Sequence, residues 1–323
     1  MKNQQSPLVS VLIPVFNCQD YIKETIQSVL EQTYTNLEVL IINDCSSDDT
    51  EIIINKFNDP RIRYFRNESN LKLIKTLNKG VSYATGEYLV RLDGDDICHP
   101  DRINRQVDFL LGNLDIALVG TDAWIIDEKN RIIKSTIMLP NTPAWTSFRL
   151  TRNSSLFHPS IMVRLDILKS LGGYDEAYPH AEDYALWLKM VSAGFTITNL
   201  PDRLIYYRIH SKSVSSIYKK QQYESSIKAL RDFDCFGKFG DRYVFAKNLD
   251  DAWYSLRAFV LEPRKELFLY FVRLVFSFKQ NRFKILLGIF KEVFQYSIIR
   301  TFLKLFPLKV KNGKIHLSIG YHE

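Results

Sequence analysis

Three carboxylates stand within four residues at Asp93-Gly94-Asp95-Asp96, directly behind the apolar run LVRL. Crowded carboxylates repel one another, and a hard divalent cation turns that repulsion into binding. Gly94 lets the backbone turn there and admits a ligand closely. The plainer reading is a solvated acidic turn. Asp44 follows the run VLII in a similar way. A carboxylate in that place can accept hydrogen bonds from a nucleobase or ribose edge. Asp48 and Asp49, just beyond it, have the placement of helix caps.

The string His180-Ala181-Glu182-Asp183-Tyr184 opens a helical pattern in which Tyr184, Trp187, Leu188 and Val191 share one face. Asp183 therefore falls in the first turn, where an acid either caps the helix or faces a cleft. His158 in LFHPSIMV is a further candidate. His210 keeps company with Arg208, Ser211, Lys212 and Ser213. That group offers donors to an anion and one imidazole ligand.

These residues need a scaffold, and the first 130 positions supply one. Short β-branched runs at Val9 to Phe16, Leu37 to Asn43, Ile62 to Phe65 and Glu87 to Asp93 alternate with helical patterns. One helix is expected after Asp20, with Ile22, Ile26, Val29 and Leu30 on its apolar stripe; Asp20 is placed to cap it. Others follow Asp48, run through Ile74, Leu77, Val81 and Ala84, and start after Pro100. The alternation predicts an α/β fold with a parallel, helix-covered sheet. Ligands of such sheets sit at the carboxyl ends of the strands. Phe16-Asn17, the Asn43–Asp49 cluster and Asp93–Asp96 all fall there. Neither the glycine signature of dinucleotide folds nor the Walker pattern follows the first strand.

Composition narrows the classes. The chain has 323 residues, 46% hydrophobic and 24% charged, an ordinary globular balance that excludes disorder and low complexity. Net charge is +7, but Glu262 to Glu323 holds twelve Lys and Arg against four acids. The preceding 261 residues hold 31 against 32. Basicity thus belongs to the tail, and no nucleic-acid partner is expected. Cys18, Cys45, Cys98 and Cys235 show neither zinc-site nor CxxC spacing, so free thiols in a reducing compartment are expected. The short run after MKNQQSP contains Pro14 and makes a poor secretory leader. No stretch of about 18 uncharged apolar residues predicts a membrane span.

The segments VSVLIPVFNC, EVLIINDCSSDDT, ATGEYLVRLDGDD, HPDRINRQVDFL, HPSIMV, GGYDEAYPHAEDYALWLKM and YYRIHSKSVS occur in the order seen in family 2 glycosyltransferases. The sequence resembles the bacterial surface-polysaccharide members of that family, over Leu8 to Ser216. The resemblance implies a GT-A fold: a Rossmann-like, nucleotide-binding mixed sheet covered by helices, continuous with an acceptor-binding half. It implies a catalytic domain over 1–225 and leaves 226–323 as a mostly helical, basic, amphipathic C-terminal region. The implied activity is inverting transfer from a UDP-sugar to a saccharide, or to a polyprenyl-pyrophosphate-linked saccharide, in O-antigen or capsule assembly. By the same resemblance Asp44 contacts uracil, and Pro14, Phe16 and Asn17 line the nucleoside pocket. Asn70 is a further nucleotide contact, and Asp93 lies near ribose. Asp95 and His210 hold Mn²⁺ or Mg²⁺, Arg208 and Ser211 meet the diphosphate, and Asp183 is the base. Two departures stand out: Cys45 occupies a usual glycine position, and Asn70-Leu71-Lys72-Leu73 lacks the customary glycine.

Two other readings stay open. A metal-dependent nucleotidyltransferase calls for a Gly-rich first loop, and VFNCQDYI has no Gly. A non-catalytic scaffold tolerates loss of acids, yet Asp93, Asp95 and Asp183 are all present.

From Pro263 to Val310 the chain is dense in Phe, Leu and Ile, broken every few residues by Arg or Lys. Basic amphipathic helices of this kind lie in the headgroup plane of anionic membranes. The expected location is therefore cytoplasmic and peripheral, on the inner face of the cytoplasmic membrane. The alternative is a helical subdomain packed on the core. Removing Lys265 to Glu323 should release the protein from anionic vesicles in flotation. Binding of the intact chain should weaken with salt as the Debye length falls to about 3 Å at 1 M. Salt-independent flotation of a folded truncation would exclude the membrane role.

Overall fold

The computed structural model describes residues 6–136, 146, 150, 154, 156–210 and 218–233, together with the backbone of 308–311 and 314–317. The chain divides into two compact units, Met1–Lys247 and Asn248–Glu323. The first contains the α/β core. It opens with β1 (Val9–Val15), α1 (Ile22–Leu30), β2 (Leu37–Asn43), α2 (Thr50–Ile54), β3 (Ile62–Arg66), α3 (Leu73–Tyr83) and β4 (Tyr88–Arg91). Next come β5 (Ile97–Cys98), α4 (Arg102–Gly112), β6 (Ile116–Ile126) and β7 (Ile132–Ser135). A 3₁₀ turn at His158–Ser160 leads to β8 (Met162–Arg164), α5 (Leu165–Ser170), α6 (Glu182–Ser192), β9 (Thr196–Arg208) and α7 (Lys219–Asp232).

Strand order is β3-β2-β1-β4-β8-β6-β9-β5, with β7 paired to the free part of β6. The expected parallel run holds for β3, β2, β1 and β4. Beyond it β8 pairs antiparallel with both β4 and β6, which makes the sheet mixed. The physical reason is local. The chain reaches β8 from the 3₁₀ turn at the carboxyl end of β4 and so runs back along it.

Period-two alternation sends β1 side chains to opposite faces. Leu12 joins Leu40, Ile42, Leu77, Val81 and the α5–α6 residues on one side. Val9, Val11, Ile13, Val39 and Ile41 pack with Ile22, Ile26, Val29, Ile103 and Val107 on the other. Both faces are covered, so β1 and β2 are buried along their whole length. Gly80 lets α3 approach β1, since a Cβ there would lie 2.2 Å from Leu12 Cδ1.

Asp20 does not cap α1. Tyr21 takes the N-cap position without a side-chain bond, and the Cys18 carbonyl accepts from both Tyr21 N and Ile22 N instead. The α7 helix crosses the boundary expected at 225 and packs on the catalytic unit through buried Ala229 and the Tyr178 hydroxyl, which donates to Asp232 at 2.8 Å. In the second unit, β10 (Leu308–Lys311) and β11 (Lys314–Leu317) form an antiparallel pair inside the region expected to be mostly helical. The amphipathic helix expected over 263–310 lies otherwise outside the described residues, as do Ser211 and Cys235. Among the described residues no helix is long and apolar enough to cross a membrane.

Both departures from the glycine pattern carry left-handed backbone. Cys45 has φ 62°. Lys72 has φ 71° and ψ 166°, a region that is essentially glycine's own. Such strain costs about 1–3 kcal/mol per residue. Glycine's extra freedom in the unfolded chain offsets roughly 0.5–1 kcal/mol of any relief. Lys72→Gly should therefore raise unfolding stability by about 1 kcal/mol, read by urea denaturation. A loss of stability would show that Lys72 is unstrained.

Candidate active site

The polar ends of β1, β2 and β4 meet at one edge of the sheet. Asn17, at φ 53°, stitches the first two together: its amide donates to Ser46 Oγ at 3.0 Å, and its Oδ1 accepts from Ser47 N at 2.9 Å. Phe16 beside it is 47% exposed, an open apolar face. Pro14 is buried within β1, opposite Ile42.

Asp44 is almost fully buried, and its carboxylate anchors the following loop. Its Oδ1 accepts from Asn67 Nδ2 at 2.8 Å and from Leu71 N at 2.7 Å, while Oδ2 accepts from Lys72 N at 2.9 Å. A carboxylate has about four acceptor positions. Three are filled from within the chain, which leaves one over. Asn70 reinforces the same turn by accepting from Lys72 N at 3.1 Å.

The acidic string after β4 is held by its backbone, with its carboxylates clustered. Thr25 Oγ1 in α1 donates to the carbonyls of Gly94 and Asp96 at 3.1 and 2.8 Å. Gly94 packs tightly on the β1 loop, where a Cβ would lie 3.0 Å from Val15 and 3.1 Å from the Cys18 sulfur. Ligand oxygens of Asp93, Asp95 and Asp96 lie within 4.8 Å of one another. His210 Nε2 is 2.9 Å from Asp95 Oδ2, so the two expected metal ligands do converge. Asp96 Oδ1 accepts from Arg208 N at 2.8 Å, while its buried Oδ2 has no hydrogen-bond partner. Burial, then the charges of Asp95 and Asp93, push Asp96 well above the usual carboxylate range. An orphaned buried oxygen among clustered oxygen donors and one imidazole suits a hard divalent cation.

Two arginines behave differently from expectation. Arg208 is expected at a diphosphate, but its side chain is 1% exposed and engaged by the chain itself. Its Nε donates to the Asp95 carbonyl at 2.7 Å, and Nη1 to the Asp127 carbonyl and to Asn130 Oδ1 at 3.1 and 2.5 Å. Its Nη2 reaches Glu24 at 3.2 Å, and the guanidinium lies 4.5 Å over the Tyr21 ring. Arg208 thus positions the acidic loop from behind, because β9 delivers it into a ring of carbonyls. Arg91 escaped notice in the sequence. It ends β4, is buried, and forks onto Asp93 through both terminal nitrogens. An arginine within an apolar strand was the signal that could have found it.

On the other side stands α6. Asp183 falls in its first turn as expected, and Ser154 Oγ donates to Oδ2 at 3.3 Å. Burial raises the proton affinity of Asp183, against the Tyr184 amide, Arg91 and Ser154. Burial, which raises the affinity, therefore outweighs the helix N-terminus. Burial also raises Asp93, with Asp183 among the acids that add to it, so Asp93 and Asp183 share one electrostatic neighbourhood. His158 is structural. Its Nε2 is 2.9 Å from the Tyr174 hydroxyl, it lies edge-on to Trp187, and burial lowers it well below its ordinary value.

The family model described as Glycosyl transferase family 2 matches residues 10–172, about half of the chain. The chain belongs to that family. An uncharacterized glycosyltransferase of Haemophilus influenzae is 34% identical over 241 residues, 71% of this chain and 74% of the relative. A 34% identical relative from Escherichia coli, covering 65% of this chain and 80% of its own, is named UDP-Glc:alpha-D-GlcNAc-diphosphoundecaprenol beta-1,3-glucosyltransferase WfaP. Among solved structures, S. aureus TarS 1-349 in complex with UDP-GlcNAc superposes with TM-score 0.62 at 19% identity, covering 98% of this chain and 97% of TarS. The Pyrobaculum calidifontis mannosyltransferase PcManGT, in complex with GDP-Man and Mn²⁺, gives 0.58 at 16%, covering 94% and 84%. The fold of this glycosyltransferase is GT-A.

Glu182 is buried beside Asp183, and burial followed by that neighbour's charge pushes it up from 4.5 to about 7. Its folded pKa lies above its unfolded one, so the folded chain binds more protons and stability falls as pH rises between them. Unfolding free energy should decline from about pH 4.5 to 7, and Glu182→Gln should flatten that decline. Parallel pH profiles of both proteins in urea would disprove it.

Proposed function

We propose that this glycosyltransferase is inverting and divalent-metal-dependent, and that it moves a sugar from a UDP-sugar to a saccharide or lipid-linked saccharide in O-antigen or capsule assembly. The observation that carries the reading is the convergence of His210 on Asp95 in an acidic loop that shares its electrostatic neighbourhood with Asp183. The UDP-Glc and diphosphoundecaprenol in the name of the E. coli relative, and the UDP-GlcNAc bound to TarS, support the donor and acceptor classes. The Mn²⁺ bound to PcManGT supports the metal.

Asp95 and His210 would hold Mn²⁺ or Mg²⁺, with Asp96 Oδ2 turned to the same cluster. The cation supplies positive charge against the departing nucleoside diphosphate. Phe16 offers a face to the uracil, Pro14 would line the nucleoside pocket with it, and Asn17 fixes the loop that carries it. Asp44 would keep one acceptor position for the base while holding the 67–72 turn, in which Asn70 would be a further nucleotide contact. Asp93, neutralised by Arg91, can accept from a ribose hydroxyl without adding a net charge. Arg208 keeps the acidic loop in register, and Ser211, which lies outside the described residues, would contact the diphosphate as the family motif implies.

Asp183 takes the proton of the acceptor hydroxyl as that oxygen attacks the anomeric carbon. Its raised proton affinity suits the task, since a base works best with a pKa near the working pH. One base and one displacement invert the anomeric centre. The basic tail would hold the enzyme at the inner face of the cytoplasmic membrane, where lipid-linked acceptors are met.

Asp183→Asn should leave UDP binding near wild type and lower turnover by at least about 10²-fold. Asp95→Asn should weaken metal-dependent UDP binding instead. UDP release from UDP-sugar, followed with and without chelator, tests both; full activity in excess chelator, or tighter binding of GDP than UDP, would overturn the reading.

A further inference from the structure

The residues that lead into α6 carry an aromatic feature that the chemistry above leaves unused. His180 stands three residues before Asp183, at φ 64°. A left-handed backbone is uncommon for a residue with a Cβ, and strain of this kind gathers at functional sites. The conformation brings the imidazole flat against Tyr218, with ring centroids 4.1 Å apart and planes within 9°.

Tyr218 sits at the N-cap of α7. This helix lies against the α6 side of the domain: Tyr178 OH donates to Asp232, and Lys228 Nζ lies 4.3 Å over the Tyr178 ring. The two rings thus belong to the N-terminal ends of two helices, and one of those ends carries Asp183 in its first turn. Tyr218 remains 39% exposed, so part of the stack faces solvent. Burial lowers His180 below its ordinary value, which favours the uncharged imidazole.

We propose that the His180–Tyr218 stack is a platform for a pyranose ring of the acceptor, holding it by its apolar face beside Asp183. The proposal rests on the glycosyltransferase reading and names the acceptor subsite of the same site. Axial C–H groups give one face of a pyranose an apolar, weakly positive surface. Aromatic faces carry the complementary negative charge of the ring quadrupole. Two rings stacked in parallel hold each other, so little side-chain freedom is lost on binding. The position next to the base is where an attacking hydroxyl must be delivered, and orientation at that point multiplies the rate. The rival role is mechanical: the stack merely clamps α7 to the loop before α6.

The test uses the full chain. Methyl glycosides of glucose, galactose, mannose and N-acetylglucosamine are titrated while the ring signals of His180 and Tyr218 are followed by NMR, with the acyclic polyol sorbitol as control. Saturable shifts with at least one pyranoside, none with sorbitol, and their loss in Tyr218→Ala support the platform. Tyr218→Phe keeps the ring face and should retain the shifts. No shift with any pyranoside up to about 100 mM, well above the millimolar range of weak ligands, assigns the stack to the clamp and overturns the proposal. A second arm measures transfer from UDP-glucose and UDP-N-acetylglucosamine to a water-soluble N-acetylglucosaminyl diphosphoalkyl lipid. Tyr218→Ala should raise the acceptor KM at least about tenfold, leaving donor hydrolysis by water and UDP affinity unchanged. An unchanged acceptor KM overturns the platform. Absence of UDP binding and of donor hydrolysis in the wild type counts against the glycosyltransferase chemistry instead, and the titration still decides the platform.

Discussion

Negative charge crowded at the end of β4 is the constraint around which the site is built. Asp93, Asp95 and Asp96 bring their oxygens within 4.8 Å of one another, and two buried arginines answer them by different routes. Arg91 meets Asp93 directly. Arg208 instead grips the loop through the Asp95 carbonyl, with its own amide on Asp96. Thr25 holds two further carbonyls. The loop is thus fixed mainly by its backbone, and the Asp95 carboxylate is left with His210 as its neighbour. A loop fixed through its carboxylates would have nothing to offer a cation.

The same economy of acceptors appears around Asp44. Its carboxylate ties Asn67, Leu71 and Lys72 into one turn and keeps a single acceptor position. On the opposite side Asp183 also has donors, but burial dominates and raises its proton affinity. Two kinds of acid therefore coexist near one another: Asp44, held by donors, and Asp183, dominated by burial. Environment, not residue type, separates them.

Backbone strain follows the site. Among the described residues the non-glycine positions with positive φ are Asn17, Cys45, Lys72, Asn130 and His180. Asn17 and Cys45 end the first two strands, and Lys72 donates to Asp44. Asn130 accepts from Arg208, and His180 precedes Asp183. Asn17 and Asn130 are asparagines, which tolerate the conformation, and Cys45, Lys72 and His180 would be relaxed as glycine. The strain falls in the loops around the candidate site.

Much of this was legible in the residues themselves. Continuous β-branched runs behind polar loops identified β1, β2 and β4, because strands buried on both faces carry no polar alternation. Acids at their ends, and Asp183 ahead of the Tyr184–Val191 stripe, marked the candidate site residues, because crowded carboxylates repel one another unless something answers their charge. What the sequence could not decide was direction. It placed Arg208 beside His210 and suggested an anion contact for both, but β9 ends at Arg208 and His210 lies beyond it, so the two-residue spacing does not keep them on one face. Pairing of β9 with β6 and β5 turned Arg208 inward under Tyr21 and left His210 at Asp95. The role of Arg91, the antiparallel β8 and the meeting of His180 with Tyr218 likewise depend on partners distant in the chain, because a contact between separated residues exists only once the fold has closed the loop between them.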